Sequence, residues 1–341
     1  MEYFGKTKKG ETVNKYTLKS KNLEISILNY GGTITSIIMP DKNGNKNNIV
    51  CGFDTIEDYE EKSPEFGCII GRTAGRIAYG KFTLNNKEYN MAINNGLNHL
   101  HGGLDSLNKK VWEAKQTGNT LELSYFSKDG ESGYPGNINF KVIYELIENE
   151  LSIRYFAETD QDTIINMTNH SYFNLSSGKE DCLNHELYIN ADKISTLHKD
   201  GFVSGNFMNV ENTTFDFRKA KKIGKDINNK EEQIILGSGY DHPFILNSDK
   251  PQAKVYHAET GRIIELETDQ KTLVFYTGNF LGKEGKLNWG SYSVNRGAFC
   301  LETQNIPNHI NIKGYDEIIT KEKPYYAETT FRFKLGSEKI D

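Results

Sequence analysis

Apolar and polar residues alternate along most of this chain. Leu23, Ile25 and Ile27 are separated by Glu24 and Ser26, and after the Gly31-Gly32 turn Ile34, Ser36 and Ile38 carry the pattern on. The same period of two runs through Leu121, Leu123 and Tyr125, through Phe140, Val142, Tyr144 and Leu146, through Leu151, Ile153 and Tyr155, and through Phe331, Phe333 and Leu335. Successive side chains of an extended strand point to opposite faces, so such runs predict half-buried strands. Turn-forming residues separate them, at Asp41–Gly44, Asn85-Asn86, Asp129-Gly130, Glu148-Asn149 and Thr260-Gly261. Many short strands with regular turns predict an all-β chain, a large antiparallel β-sandwich with few short helices. Helical signals are brief: Thr55–Glu61, with Thr55 as N-cap and Asp58 in the first turn, and the weaker Phe217–Ile227. Strands do not alternate with helices, which argues against doubly wound and α/β-barrel folds. No repeat, low-complexity segment or linker divides residues 1–341, so a single domain is expected.

Composition narrows the function classes. At 341 residues the chain can bury roughly three quarters of its unfolded surface, and it needs no disulfide or metal to hold a core. The charges, 41 basic against 46 acidic, give −5 with no block of five like charges, which argues against a nucleic-acid partner. Mean hydropathy is −0.63 and no apolar run approaches the ~20 residues of a membrane span. Residues 1–16 hold no apolar segment of signal-peptide type. Cys51, Cys68, Cys182 and Cys300 are widely spaced, which predicts free thiols in a reducing, cytoplasmic compartment. Antiparallel edge strands would support a homodimer, the alternative being a monomer.

Some motifs mislead. Gly75–Phe82 spells the first seven positions of a phosphate-binding loop, but Phe82 stands where a Ser or Thr hydroxyl is needed, and strands rather than a helix surround it. Asn166, Asn169, Asn174 and Asn212 head glycosylation sequons that read as chance matches without a secretory signal. His99 and His101, two apart, would share one face of a strand, yet no third ligand stands at a diagnostic spacing, so no metal is expected.

Four segments gather chemistry-bearing residues. Gly71–Ile77 with Asn94–Gly103 brings Arg72, Arg76, His99 and His101 together with several Asn, and the glycines after His101 would let a ligand approach. Thr168–Leu175 sets His170 among Asn, Ser and Tyr, an imidazole suited to proton transfer near neutrality. Gly239–Phe244 places Asp241 beside an aromatic and near a proline. Phe299–Asn305 puts Glu302 on the strand face of Cys300, opposite Phe299 and Leu301. Taken singly, each also fits a polar loop, a structural histidine, a capping carboxylate or a surface glutamate.

Taken together, the segments resemble the aldose 1-epimerase (galactose mutarotase) family over almost the whole chain. The resemblance runs in order through GRTAGRI, NHLHGG, TNHSYFNL, GYDHPF, FYTGNFL at Phe275–Leu281 and FCLETQNIPNHIN at Phe299–Asn311. It implies a galactose-mutarotase-type sandwich with the sugar in a cleft on one sheet. It implies Glu302 as base and His170 as acid, with Arg76, His101 and Asp241 holding hydroxyls and Tyr172 lining the pocket. Two positions depart from the family pattern: Gly75 where many members have Asn, and Val274 where some have Gln. Each removes an amide that would meet a hydroxyl.

The implied reaction opens an α-pyranose, rotates it about C1–C2 and recloses it as the β-anomer. A proton leaves the C1 hydroxyl and another reaches the ring oxygen, which a carboxylate and an imidazolium can do as a pair. No cofactor is implied. Neighbouring carboxylates, Asp241 above all, are expected to favour charged His170, and a bell-shaped pH dependence should follow. Rival readings are a hexose-6-phosphate 1-epimerase using Lys219, Lys221 and Lys222, a glycosidase using Asp241 and Glu302, and a non-catalytic carbohydrate-binding protein.

Overall fold

The computed structural model describes residues 1–336. The longest alternating runs form long strands. Ile138–Ile147 and Glu150–Thr159 pair antiparallel over their whole lengths around the Glu148-Asn149 turn, where Glu148 takes a positive φ of 51°. They lie within a nine-stranded sheet that also holds Thr120–Ser127, Tyr325–Leu335 and Arg262–Thr268. A six-stranded sheet runs in the order Tyr172–Phe173, Phe299–Gln304, Thr272–Tyr276, Asp241–Leu246, Ala191–Leu197 and Val203–Asn209. The first five strands, from Glu2–Lys6 to Lys46–Asn48, make a third sheet in sequence order. Every pairing between these strands is antiparallel, as expected for a sandwich built from hairpins and meanders.

One apolar cluster fills the space between the sheets. Phe140, Val142, Leu151, Ile153, Phe331 and Phe333 of the large sheet meet Phe244, Leu273, Phe275, Phe299 and Leu301 of the six-stranded one. Ile25, Ile27, Ile34 and Ile37 of the N-terminal sheet join the same cluster. Each such fully buried side chain contributes about 1.5–3 kcal/mol. The strands Thr272–Tyr276 and Phe299–Gln304 are buried at every position. Their odd residues face this core, so something must also cover their other face.

Three local expectations fail. Ile37 and Met39, not Ile38, are the buried positions after the Gly31-Gly32 turn. The register explains it: Ile27 pairs with Ile34 but Ser26 pairs with Ser36, so Thr35 is an extra residue that flips the faces. Phe217–Ile227 is not an α-helix. It holds a two-residue edge strand, Lys221–Lys222, and a 3-10 turn, Ile223–Lys225, through Gly224. Phe217, Ile223 and Ile227 serve as core anchors, and the second α-helix is Glu232–Gly237. The first helix, Ile56–Lys62, starts as expected, with Thr55 Oγ1 accepting from the Asp58 N–H at 3.2 Å. His99 and His101 do not share a face, because the strand ends at Leu100 and His101 turns to φ 52°.

Candidate active site

The face of the six-stranded sheet away from the core opens into a cleft of about 220 Å³. That is below the ~300–1,000 Å³ typical of drug-sized ligands, so the cleft suits a small molecule. His170, Glu302, Arg76, His101, Tyr172 and Asp241 all line it. Strand register spaces the floor. Tyr172, Cys300, Tyr276 and Asp241 are successive cross-strand partners, and Glu302, Val274 and Pro243 form the next row. Core-facing Phe299 and Leu301 alternate with Cys300, Glu302 and Gln304 on the opposite face, where Glu302 and Gln304 line the cleft, so burial of the former aims the latter.

His170 is fixed through its backbone. Its N–H donates to the Cys68 carbonyl at 2.9 Å and its own carbonyl accepts from the Gly67 N–H at 3.0 Å. Asn169 tightens the same turn, accepting from the Ser171 N–H and hydroxyl and donating to the Gly67 carbonyl at 2.7 Å. The His170 ring stacks on Tyr172 at 4.9 Å and meets His101 edge-on at 5.4 Å. Its Nε2 lies 3.4 Å from Glu302 Oε1, and Nδ1 lies 3.5 Å from Cys300 Sγ. His101 Nδ1 accepts from the Gly75 N–H at 3.2 Å, which leaves its proton on Nε2. Arg76 Nε donates to Asn95 Oδ1 at 2.9 Å, and NH1 stands 4.0 Å from Asp241 Oδ2.

The model of the Aldose 1-epimerase family matches residues 14–332. The galactose mutarotase of Bos taurus is 40% identical over 330 residues, covering 95% of each chain. Among solved structures, galactose 1-epimerase from Lactobacillus acidophilus superposes with TM-score 0.87 at 30% identity, covering 98% of both chains. An aldose epimerase homologue from C. elegans gives TM-score 0.88 at 26% identity, covering 95% of this chain and 99% of that one. The chain belongs to the aldose 1-epimerase family. It is thus an isomerase-type enzyme acting on sugars, in an all-β fold of galactose-mutarotase type.

In this epimerase burial dominates the electrostatics of the cleft. It lowers His170 to about 4, which overturns the expectation that neighbouring carboxylates keep the imidazole charged. Burial raises Glu302 well above the carboxylate range, and the charges of Asp241 and Glu65 push the same way against Arg76. Burial also raises Asp241, again opposed by Arg76, and lowers His101, helped by His170 and Arg76. Burial thus favours the neutral form of each partner, a carboxylic acid on Glu302 and an uncharged imidazole on His170. The two groups titrate as a unit.

The donor set does not suit a metal. His170, Cys300 and Glu302 bring ligand-capable atoms within 4.8 Å of one another. The imidazole, however, faces Glu302 with Nε2 and Cys300 with Nδ1, and a single ion can take only one ring nitrogen. Burial also keeps the Cys300 thiol protonated.

Neighbouring motif residues divide between chemistry and support. Arg72 is buried, donating to Ser127 Oγ and to the carbonyls of Pro135 and Lys128, while Arg76 reaches the cleft. His99 is likewise structural, bonded to the Ala92 carbonyl and the Tyr134 hydroxyl at 2.8 Å each. The glycines after His101 make room for the protein rather than for a ligand. A Cβ at Gly102 would lie 2.0 Å from the Gly71 carbonyl oxygen, and one at Gly103 would lie 2.8 Å from the His99 ring. Asn166, Asn169 and Asn174 are buried, which closes those sequons to glycosylation. Gly75–Phe82 runs through a short strand and a 3-10 turn into strand Lys81–Leu84, with no phosphate-binding helix.

The cleft also holds residues that sequence reasoning did not single out, namely Glu65, Tyr276 and Gln304. Gln304 was accessible from period two, since it shares the face of Glu302. Tyr276 enters through pairing with Asp241 and Cys300, which no local pattern encodes. Glu65 sits at φ 64° in the turn after the first helix, and burial raises its carboxyl to about 7.

Proposed function

We propose that this enzyme interconverts the α- and β-anomers of free hexoses such as D-galactose and D-glucose. Glu302 takes the proton of the C1 hydroxyl while His170 gives one to the ring oxygen. The observation that carries this reading is the 3.4 Å approach of two buried side chains, carboxyl and imidazole, at the floor of a small cleft lined by Arg76, His101 and Asp241. Arg76, Asp241 and His101 hold hydroxyls, and Tyr172 packs beneath the imidazole.

The proton count supports the pairing. Ring opening starts from ionised Glu302 and protonated His170 and leaves both neutral. Reclosure starts from that neutral pair and runs the transfers backwards. Burial favours the neutral form, which is the state required with the open-chain sugar bound. Binding of the closed ring requires one proton to move from Glu302 to His170, with none gained or lost. Each acid or base step contributes about 10²–10⁴-fold.

A phosphosugar is not favoured. Arg76, with Asp241 beside it, is the one Lys or Arg among the described residues lining the cleft. Lys221 belongs to the edge of the large sheet, where it is paired with Asp226 at 2.7 Å. We also read residues 1–341 as one domain, since a single apolar cluster draws on all three large sheets. Four free, buried cysteines support a reducing, cytoplasmic setting. Among the described residues no helix is long and apolar enough to cross a membrane.

Polarimetry of freshly dissolved α-D-galactose and α-D-glucose tests the function. A faster approach to the unchanged final rotation is expected. No acceleration with either sugar would refute it.

A further inference from the structure

The two sides of the cleft differ in chemistry. Around His170 and Glu302 the lining is polar or aromatic. Beyond them it becomes apolar, and the change begins directly beside the base. Val274 is the cross-strand partner of Glu302, and Pro243 is the partner of Val274 one strand further on. Leu197 and Val203 pair with each other across the next two strands. Pro307 completes this side, lying so close over Gly75 that a Cβ there would stand 2.5 Å from its own. All of these residues line the cleft. Val274 and Pro243 thus form an apolar pair beside Glu302, with Leu197, Val203 and Pro307 further along the cleft.

That surface cannot satisfy a hydroxyl. Val, Pro and Leu side chains carry no donor or acceptor, and Pro243 has no backbone N–H either. A sugar hydroxyl pressed on it gives up water and gains no partner, whereas a C–H bond or methyl group there gives up nothing. Hydroxyl recognition is left to Asp241 and Gln304 at the edges of this surface and to Arg76, His101 and Asn95 in the rest of the cleft.

We propose that the preferred substrate is a deoxyaldose, one that presents a C–H bond or a methyl group instead of a hydroxyl to the Val274–Pro243 surface. This inference rests on the epimerase reading above and narrows it to a substrate class.

The test compares kcat/KM for D-galactose, 2-deoxy-D-galactose and 6-deoxy-D-galactose by polarimetry, with spontaneous rates subtracted. One of the two deoxy sugars is expected to exceed D-galactose by about 10- to 100-fold. Which one it is identifies the carbon above Val274. Val274→Gln, which returns an amide to the surface, should bring the ratio close to one. Val274→Thr, nearly identical in shape, should move it in the same direction and decides the matter if the Gln variant does not fold. An advantage below about fivefold for both deoxy sugars overturns the proposal, as does a ratio that the folded variants leave unchanged. No acceleration with any of the three sugars fails the epimerase reading itself, and this proposal falls with it.

Discussion

Among the described residues two buried histidines each meet a carboxyl group, and the two pairs are built to opposite ends. At one, His257 Nε2 meets Glu180 Oε1 at 2.6 Å, and the rest of the site is tied down. His257 Nδ1 bonds Thr260 Oγ1 at 2.9 Å, its ring stacks on His185 at 4.6 Å, and Glu180 Oε2 accepts from Asn184 at 2.8 Å. At the other, His170 Nε2 and Glu302 Oε1 stand 3.4 Å apart, and the imidazole's second nitrogen has only a thiol at 3.5 Å. Among the described residues Glu302 makes no other side-chain contact of this kind. Burial would raise the Glu180 carboxyl, but hydrogen bonds from Asn184 and His257 outweigh it and hold the carboxyl low. Glu302 lacks such donors and rises. A satisfied pair fixes its proton, whereas an under-satisfied pair leaves capacity for a substrate to complete. Proximity of the two residue types does not make a catalytic dyad; the bonds left unmade do.

The widest separation between the pairs should appear in turnover. Glu302→Gln keeps the shape and removes the base, so catalysed mutarotation should fall by about 10³-fold or more while sugar binding by calorimetry persists. Near-normal turnover in that variant would mean that the two pairs do not differ in kind. His170→Gln should cost about 10²–10⁴-fold in kcat with a smaller change in KM. Asp241→Asn, which weakens hydroxyl binding and keeps both dyad side chains, should raise KM about 10- to 100-fold and change kcat less. If instead kcat falls and KM holds, Asp241 acts on the dyad and not on the sugar.

The pH profile sharpens the same contrast. The dyad works while it holds one proton. Acidification adds a second to His170, and because burial has lowered that group to about 4, the acid limb should lie near there and not near 6.5. At the alkaline side the proton leaves Glu302, whose raised value places that limb well above the ordinary carboxylate range. A rate profile in which the acid limb sits at the usual imidazole value would show that bound sugar, or Asp241, restores the charge on His170.

Period two made the sandwich legible, along with the face on which Glu302 lies, because burial of Phe299 and Leu301 is a local property of the strand. The resemblance supplied His170, Arg76, His101, Tyr172 and Asp241, and the cleft holds all of them. Two kinds of information were out of reach. One is register: the extra residue at Thr35 and the Val274–Glu302 and Tyr276–Asp241 pairings depend on strands distant in sequence. The other is the balance of solvation against charge. The sequence shows carboxylates near His170 but not how completely the ring is buried, and burial sets the sign of its shift. Phe217–Ile227 failed for a related reason, since its apolar residues are spaced for anchoring in the core and not for a helical stripe.

The smallest expected effect concerns the satisfied pair. Glu180→Ala removes one partner from buried His257 and frees Asn184, while nothing in the cleft touches either residue. Leaving the His257 ring nitrogen without its partner should cost about 1–3 kcal/mol. Because Glu180 is 29% exposed, water can enter to replace it, and the lower part of that range applies. For a chain of this size the corresponding fall in Tm is a few degrees, measurable by scanning calorimetry. Catalysed mutarotation at 25 °C should stay within about threefold of the parent. A variant as stable as the parent would mean that the Glu180–His257 contact contributes nothing net. One that loses turnover while fully folded would mean that the second pair feeds the first, through the stack of His257 on His185 and the edge-on contact of His185 with Phe299 at the start of the Glu302 strand.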